Sequence, residues 1–266
     1  GTFFLLVVTA ATGIYTLPLH DPLPIFEDSV RTFSSYFDII VMRTHLQGFA
    51  ARMAWMLINT LRPVPILNAG SGKDQHPTQA LLDIYTLQLS FERLGGISGK
   101  TIMFVGDLAR GRTVRSLSAL LTWYPGVKQV FVAPEPLQVG RDILDQLDAA
   151  GVDYSLTNDF ESVMPMADAI YMTRIQDEWD EREGDNKAID ISRFSFRAEH
   201  LQRIKFSTII MHPLPRRTEI ETAVDHDPRA MYWRQMRNGM WIRVALIATI
   251  FGRDTEISAY YRDNLK

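Results

Sequence analysis

A histidine and a glutamine stand close together in the segment His76-Pro77-Thr78-Gln79, between the apolar run 64–67 and the periodic apolar pattern of a helix. Proline is favoured at the first position of a helix, which places both side chains at the helix mouth. Free backbone N–H groups and the positive end of the helix dipole attract anions there. A neutral imidazole and a carboxamide beside them would suit a small anionic carbonyl compound.

Further groups that bind anions or amines follow other apolar runs of the chain. The carboxyl ends of parallel strands lie at one edge of a sheet, so groups that follow several strands can face a common crevice. The guanidinium fork of arginine makes two parallel hydrogen bonds to a carboxylate, and prolines hold neighbouring carbonyl groups ready to accept from an amine. The candidates are Arg43, Arg112, Arg174 with Gln176, and Pro213 with Leu214.

The elements that must carry these groups alternate between buried apolar runs and helical patterns, which predicts an α/β fold of two doubly wound parallel-sheet domains. The glycine-rich stretch 95–99 is the expected link between them. In the helix after Pro77, the apolar positions leave Asp83 and Thr86 on other faces. Near the C-terminus, Asp227 is expected to cap a helix and Pro228 to start it. The expected strands are 38–42, 64–67, 100–107, 128–133, 152–156, 168–172 and 207–211.

The amino-acid composition limits the classes of protein to which the chain can belong. The 266 residues are 46% hydrophobic and 22% charged, which is ordinary for a globular protein long enough for two cores. A net charge of −3 argues against a general nucleic-acid binder, and the absence of cysteine fits a reducing cytoplasm. Residues 1–25 differ from the rest of the chain, and the turn-like stretch 19–25 fits no expected element. They include the short apolar run 3–8, but nothing positively charged precedes it and it is too short to span a bilayer, so we expect neither secretion nor a membrane partner.

The strings His-Pro-Thr-Gln-Ala-Leu-Leu-Asp-Ile-Tyr-Thr at 76–86 and Met-His-Pro-Leu-Pro-Arg-Arg at 211–217 resemble the aspartate/ornithine carbamoyltransferases, and Pro-Leu-Pro-Arg resembles the aspartate branch. The segment Gly-Asp-Leu at 106–108 with Gly-Arg-Thr-Val at 111–114 is similar to that family's aspartate-binding segment. The resemblance covers roughly residues 26–252. It implies a partial carbamoyl-phosphate domain at 26–97, an aspartate-binding domain at 98–236 and a C-terminal helix at 237–266 that returns to the first domain. Residues 1–25 are then expected to be an atypical leader of foreign origin.

The resemblance also implies the chemistry. The carbamoyl group of carbamoyl phosphate would pass to the amine of L-aspartate, with no metal or organic cofactor and with phosphate accepting the amine proton. The implied catalytic residues are Arg43 and His76, which would polarise the carbonyl, and Gln79 would also bind this substrate. The implied aspartate ligands are Arg112, Arg174 and Gln176 for the carboxylates, and Pro213 and Leu214 for the amine. His212 is expected to structure its turn rather than to catalyse.

The chain also departs from the family pattern. A Ser-Thr-Arg-Thr phosphate loop, and the serine and lysine loop that reaches into a neighbouring subunit, have no counterpart in the sequence. We therefore interpret the first domain as truncated and expect weak or no catalysis. The polar stretch 175–187 has the composition of a mobile lid. Within it, Glu178 either orients Arg174 or is one more exposed acidic residue, and the sequence leaves both readings open.

Two alternative functions remain at this stage. An ornithine-type carbamoyltransferase is the nearer one, but that branch favours His-Cys-Leu-Pro, and two arginines suit a dicarboxylate better than a cationic amino acid. The other is a non-catalytic role in assembly. The family resemblance implies a homotrimer, and the sequence does not tell whether a regulatory chain binds to it.

Overall fold

The computed structural model describes residues 5–9, 23–72, 75–174 and 192–264. The chain forms two compact units. Unit 1 comprises residues 1–78 and 245–266, and unit 2 comprises residues 79–244. The domain limits expected from the sequence remain predictions.

Unit 1 is built on a three-stranded parallel sheet of order β1-β2-β3. Its core residues include Ile40, Met53, Leu57 and Val64, all at most 5% exposed. The first helix begins at Leu23, so the expectation that the stretch 19–25 holds no element is wrong for its last three residues. The predicted strands also did not include residues 5–9, where β1 pairs in parallel with β2. The elements are β1 (Leu5–Thr9), α1 (Leu23–Ser34), β2 (Ile39–Thr44), α2 (Phe49–Ile58), β3 (Ile66–Ser71) and, after unit 2, the C-terminal helix (Asp254–Asn264).

Unit 2 is built on a five-stranded sheet in which every strand is parallel to its neighbours. Its elements are α3 (Pro77–Phe91), β4 (Thr101–Val105), α4 (Arg112–Leu121), β5 (Lys128–Val132), α5 (Arg141–Ala149), β6 (Tyr154–Thr157), α6 (Phe160–Val163), β7 (Ala169–Met172), β8 (Ile209–Met211) and α7 (Tyr232–Ile250). The strand order is β6-β5-β4-β7-β8. The helix α3 begins in unit 1, and α7 ends there.

Both faces of this second sheet are covered, which is why its strands β4, β7 and β8 are almost entirely apolar. Successive residues of β4 point to opposite sides: Phe104 belongs to one buried cluster, and Met103 and Val105 belong to the other. The rings of Phe104 and Phe131 stack with centroids 5.3 Å apart. The predicted doubly wound α/β class is thus confirmed. None of the helices in the described ranges has the length and apolar character needed to cross a membrane.

Asp83 and Thr86, which lie off the apolar positions of α3, are both fully buried. One local expectation is wrong. Asp227 and Pro228 do not start a helix, although the Asp227 carboxylate accepts from the backbone N–H and the guanidinium of Arg229. The next residues bridge to Ile210 of β8 in an extended conformation, so α7 begins only at Tyr232.

Candidate functional site

The carboxyl edge of the second sheet has a topological switch point between β4 and β7. From β4 the chain moves outward to β5 and β6, then returns to place β7 on the other side of β4. In open α/β sheets, ligands bind in the crevice outside such a point because the loops after the two strands diverge there. The segment from Gly106 to Arg112 follows β4, and the segment from Thr173 follows β7.

A close backbone approach holds these two segments together. Gly106 has φ +117°, and a Cβ atom there would lie 2.3 Å from the carbonyl oxygen of Thr173, so only glycine fits. The Thr173 backbone N–H donates to the Val105 oxygen at 2.8 Å, and its hydroxyl donates to the same oxygen at 2.9 Å. The ends of β4 and β7 are therefore fixed relative to each other.

The two predicted carboxylate ligands of this unit sit at these strand ends. Arg112 is the first residue of α4, and Arg174 follows β7 directly; both are half-buried. The turn before Arg112 is ordered by the buried Asp107, whose carboxylate accepts from the backbone N–H of Arg110 at 3.2 Å. The structure thus brings both arginines to one edge of the sheet. Gln176, Glu178 and the expected lid 175–187 lie outside the described residues.

The turn that carries Pro213 and Leu214 follows β8 at the same edge of the sheet. Leu214 has φ +53°, unusual for a side chain of this size. Its backbone N–H donates to Nδ1 of His212 at 2.8 Å, and Nε2 of His212 is 2.6 Å from Glu219. Since Nδ1 accepts, this pattern assigns the proton to Nε2 and makes the buried imidazole neutral. The expected turn-structuring role of His212 is confirmed.

The carboxylate of Glu219 holds the ring of His212 in place through this contact. Burial raises its pKa, but hydrogen bonds from His212 and from the backbone outweigh burial and hold the pKa below its usual range. Further along the turn, the guanidinium of Arg216 binds both oxygens of Asp225 and stacks 5.3 Å from the ring of Tyr232. These bonds tie the segment after β8 to the start of α7.

In unit 1, the predicted ligand Arg43 is the last residue but one of β2, and it is exposed. The pairing of β2 with β3 shifts register between Met42 and Thr44, so Arg43 has no partner in β3, whereas it pairs with Thr9 of β1. After β3, the backbone N–H of Gly72 donates to Thr44 at 2.8 Å. The two loops at this edge of the three-stranded sheet are therefore joined.

His76 precedes α3 and is half-buried. The neighbouring Thr78 is 3% exposed, and its hydroxyl has no hydrogen-bond partner among the residues that the structure describes. Gln79 is also buried, and its amide donates to Asp83 at 3.0 Å. An unused hydroxyl between the two predicted ligands is consistent with a polar ligand at this helix mouth.

The sequence interpretation did not predict that Asp83 is buried in a network of hydrogen bonds. Its carboxylate is fully buried and accepts from Gln79, from Tyr171 at 2.8 Å and from Gln235 at 2.6 Å. Burial raises the pKa of Asp83 to about 7, although its three hydrogen bonds act in the opposite direction. One signal was available, since Gln79 and Asp83 are four residues apart on one helix face, a spacing at which an amide and a carboxylate pair.

Fold and site together define a doubly wound α/β protein with arginines at a switch point. Family models agree: the aspartate/ornithine carbamoyltransferase Asp/Orn binding domain matches residues 98–250. The carbamoyl-P binding domain of the same family matches residues 24–89. The chain therefore belongs to the aspartate/ornithine carbamoyltransferase family, which confirms the resemblance seen in the sequence.

Individual relatives point to the aspartate branch. The chain is 45% identical over 226 residues to the chloroplastic aspartate carbamoyltransferase of Arabidopsis thaliana, covering 83% of this chain and 55% of that protein. It is 45% identical over 224 residues to the aspartate carbamoyltransferase catalytic subunit of Vibrio cholerae, covering 84% of this chain and 69% of that protein. The chain thus spans about half the length of the plant relative.

Solved structures give the same result. Aspartate transcarbamoylase of Trypanosoma cruzi, in complex with N-(phosphonacetyl)-L-aspartic acid, has a TM-score of 0.74 and 36% identity, with 88% of this chain and 73% of that chain covered. The catalytic subunit of the M. jannaschii enzyme has a TM-score of 0.73 and 34% identity, with 90% and 71% covered. These relatives do not favour the ornithine-type alternative.

Proposed function

We propose that this chain transfers the carbamoyl group of carbamoyl phosphate to the amine of L-aspartate, giving N-carbamoyl-L-aspartate and phosphate, a step of pyrimidine biosynthesis. The observation that carries this proposal is the placement of Arg112 and Arg174 after neighbouring parallel strands at a switch point. Structures of the Trypanosoma cruzi relative in complex with carbamoyl phosphate, and with aspartate and phosphate, support this choice of substrates.

In this proposal, the two arginines hold the two carboxylates of aspartate. A planar guanidinium makes two parallel N–H bonds to a carboxylate, and this geometry selects a dicarboxylate over a cationic amino acid. Gln176 would donate a further bond to the second carboxylate. The carbonyl oxygens of Pro213 and Leu214 would accept from the amine and aim its lone pair, because the turn is held by His212.

The carbamoyl phosphate side uses Arg43, His76 and Gln79. Arg43 and His76 would donate to the carbonyl oxygen as negative charge develops on it, each being worth about 3–4 kcal/mol of barrier. Holding two reactants together supplies about 7–11 kcal/mol more. The departing phosphate can take the proton of the attacking amine, so these residues need not include a general base, and the proposed chemistry uses no metal or organic cofactor.

Four further expectations accompany the proposal. The chain would act as a homotrimer, a regulatory chain would be a candidate partner, and the protein would work in the cytoplasm. The plant relatives are named as chloroplastic, so compartment does not follow from the family. Because no Ser-Thr-Arg-Thr string occurs in the sequence, we also expect turnover well below that of full-length relatives.

The proposal is tested by a transfer assay with radiolabelled carbamoyl phosphate and either L-aspartate or L-ornithine. We expect labelled carbamoyl-aspartate at a low rate and no product from ornithine. Arg174→Lys keeps the charge but loses the fork, so the KM for aspartate should rise by roughly 10- to 100-fold. The matched control is Arg93→Lys, because Arg93 is exposed in the 3₁₀ turn after α3, away from the carboxyl edge.

Three results would count against these expectations. Product from ornithine at a higher rate than from aspartate would favour the ornithine-type alternative. No product from either acceptor, together with no calorimetric heat on titration with N-(phosphonacetyl)-L-aspartate, would support an assembly role. Turnover equal to that of full-length relatives would leave the proposed reaction standing but would show that the expected impairment is wrong.

A further inference from the structure

The proposed chemistry makes no use of one fully buried titratable side chain, Asp83. It lies on α3 one turn after Gln79, and both of its oxygens are occupied. Oδ1 accepts from the amides of Gln79 at 3.0 Å and Gln235 at 2.6 Å, and Oδ2 accepts from the hydroxyl of Tyr171 at 2.8 Å. These three donors belong to α3, α7 and β7, so one carboxyl joins three separate elements of unit 2.

The partners of Asp83 lead on to candidate ligands. Tyr171 is in β7, the strand that Arg174 follows, and its hydroxyl is also hydrogen-bonded to the side chain of Thr113. Thr113 is the neighbour of Arg112 in the first turn of α4. One phenol therefore links the strand that delivers one arginine to the helix that carries the other.

The second branch runs through Gln235. While its amide donates to Asp83, its carbonyl oxygen accepts from the backbone N–H of His212 at 2.9 Å. His212 in turn accepts from the backbone N–H of Leu214. The same carboxyl is thus connected, through two side chains, to the turn whose carbonyl groups would receive the amine.

We propose that Asp83 is a positioning residue of this site: its buried carboxyl sets the side chain of Gln79 directly and, through Tyr171 and Gln235, the segments that carry the arginines and the Pro213-Leu214 turn. The inference rests on the proposed function, because it concerns the precision with which those segments meet the substrates. Displacements well below 1 Å matter at such sites, where several groups must reach one ligand together. Asp83 itself would touch no substrate.

Asp83→Asn is a sharp test because it keeps the shape of the side chain. The remaining oxygen can still accept from Gln79 and Gln235, but an amide group replaces the acceptor of the Tyr171 hydroxyl. Tyr171→Phe removes the same bond from the other side. A third variant, Ser118→Ala, serves as control: Ser118 and Gln129 form an equally buried pair in this unit, with the hydroxyl bonded at 2.6 Å.

Gln129 lies at the amino end of β5, the opposite end of the strands from the candidate ligands. Ser118→Ala should therefore lower the denaturation midpoint without touching the site.

The readout is the calorimetric Kd for N-(phosphonacetyl)-L-aspartate, measured with the full chain where each variant is folded. We expect Asp83→Asn and Tyr171→Phe each to weaken binding by about 10-fold, the effect of one buried hydrogen bond to a charged group, and Ser118→Ala to leave it unchanged. The double variant of Asp83 and Tyr171 should lose little more than either single one, since both remove one interaction.

Unchanged affinity in Asp83→Asn and Tyr171→Phe would overturn the positioning role while leaving the proposed function intact. Equal weakening in Ser118→Ala would also overturn it, because the effect would then follow stability rather than position. If the unsubstituted chain does not bind the ligand, both the proposed function and this inference fail. Should Asp83→Asn not fold, Tyr171→Phe alone decides the question.

Discussion

The raised pKa of Asp83 makes the stability of the protein depend on pH in an unusual direction. In the unfolded chain this carboxyl has its ordinary pKa of 3.8, whereas burial raises the pKa to about 7 in the folded protein. Between these values the folded state holds a proton that the unfolded state has lost. The stabilisation from this group is therefore complete below pH 3.8 and is lost as pH rises towards 7. The titratable group in contact with it is Tyr171, whose own pKa burial raises far above this window.

The size of the effect follows from the two pKa values. A difference of about 3 pKa units corresponds to about 4 kcal/mol at 1.36 kcal/mol per unit. Asparagine has no proton to lose, so Asp83→Asn should not show this loss. We expect the free energy of unfolding of the unsubstituted protein, minus that of the variant, to fall by about 4 kcal/mol between pH 4 and pH 8 and then to level off.

The assay is urea denaturation of both proteins at half-unit steps from pH 4 to pH 8, followed by circular dichroism. Every other titrating group is common to the two proteins, so its contribution cancels in the difference. Parallel stability curves would show that the Asp83 carboxyl ionises with an ordinary pKa and would refute the reasoning. If the variant is more stable than the parent at pH 8 yet binds the bisubstrate ligand less tightly, Asp83 serves position at the expense of stability.

Two further substitutions test the support of the site. Gly106→Ala should cost about 3 kcal/mol of unfolding free energy and weaken aspartate binding, because its Cβ would meet the Thr173 carbonyl at 2.3 Å. Gly95→Ala is the control: Gly95 has φ +86° but open space around it, so the substitution should cost about 1 kcal/mol and leave binding intact. Equal losses of unfolding free energy in the two glycine variants, measured by thermal denaturation, would contradict this expectation. Asp225→Asn should cost about 2 kcal/mol at pH 7, since it leaves the half-buried Arg216 without its counter-charge. In the folded protein, Arg216 holds the pKa of Asp225 below its ordinary value of 3.8. The cost of the substitution should shrink as the pH falls below 3.8, because protonation then removes the same charge from the unsubstituted protein.

The sequence predicted the strands and their ends well. Apolar runs that end in a polar or arginine-containing segment are short-range signals, and the parallel sheet then places those segments at one edge by geometry alone. Arg112 and Arg174 were placed at this edge in this way, whereas the family resemblance marked them as ligands; the prolines marked the turn at Pro213. The positive φ of Leu214 has no local signal, because leucine does not favour that region of the Ramachandran map.

The buried polar network could not be predicted from sequence. Asp83 bonds to Tyr171 and Gln235, which are 88 and 152 residues away in the chain. A carboxylate in a helix is normally exposed, and the apolar periodicity of α3 gave no sign that Asp83 is buried. The failed helix start at Asp227 has a similar origin, because a tertiary bridge to β8 keeps the next residues extended where propensity favoured a helix.

The central claim is that Arg112 and Arg174 receive the two carboxylates of an aspartate-like ligand. A crystal structure of the chain with N-(phosphonacetyl)-L-aspartate bound measures this directly. We predict guanidinium nitrogens of both arginines about 2.7–2.9 Å from carboxylate oxygens of the ligand. A ligand bound with its carboxylates on other residues, or with only one of the two arginines in contact, would contradict the account.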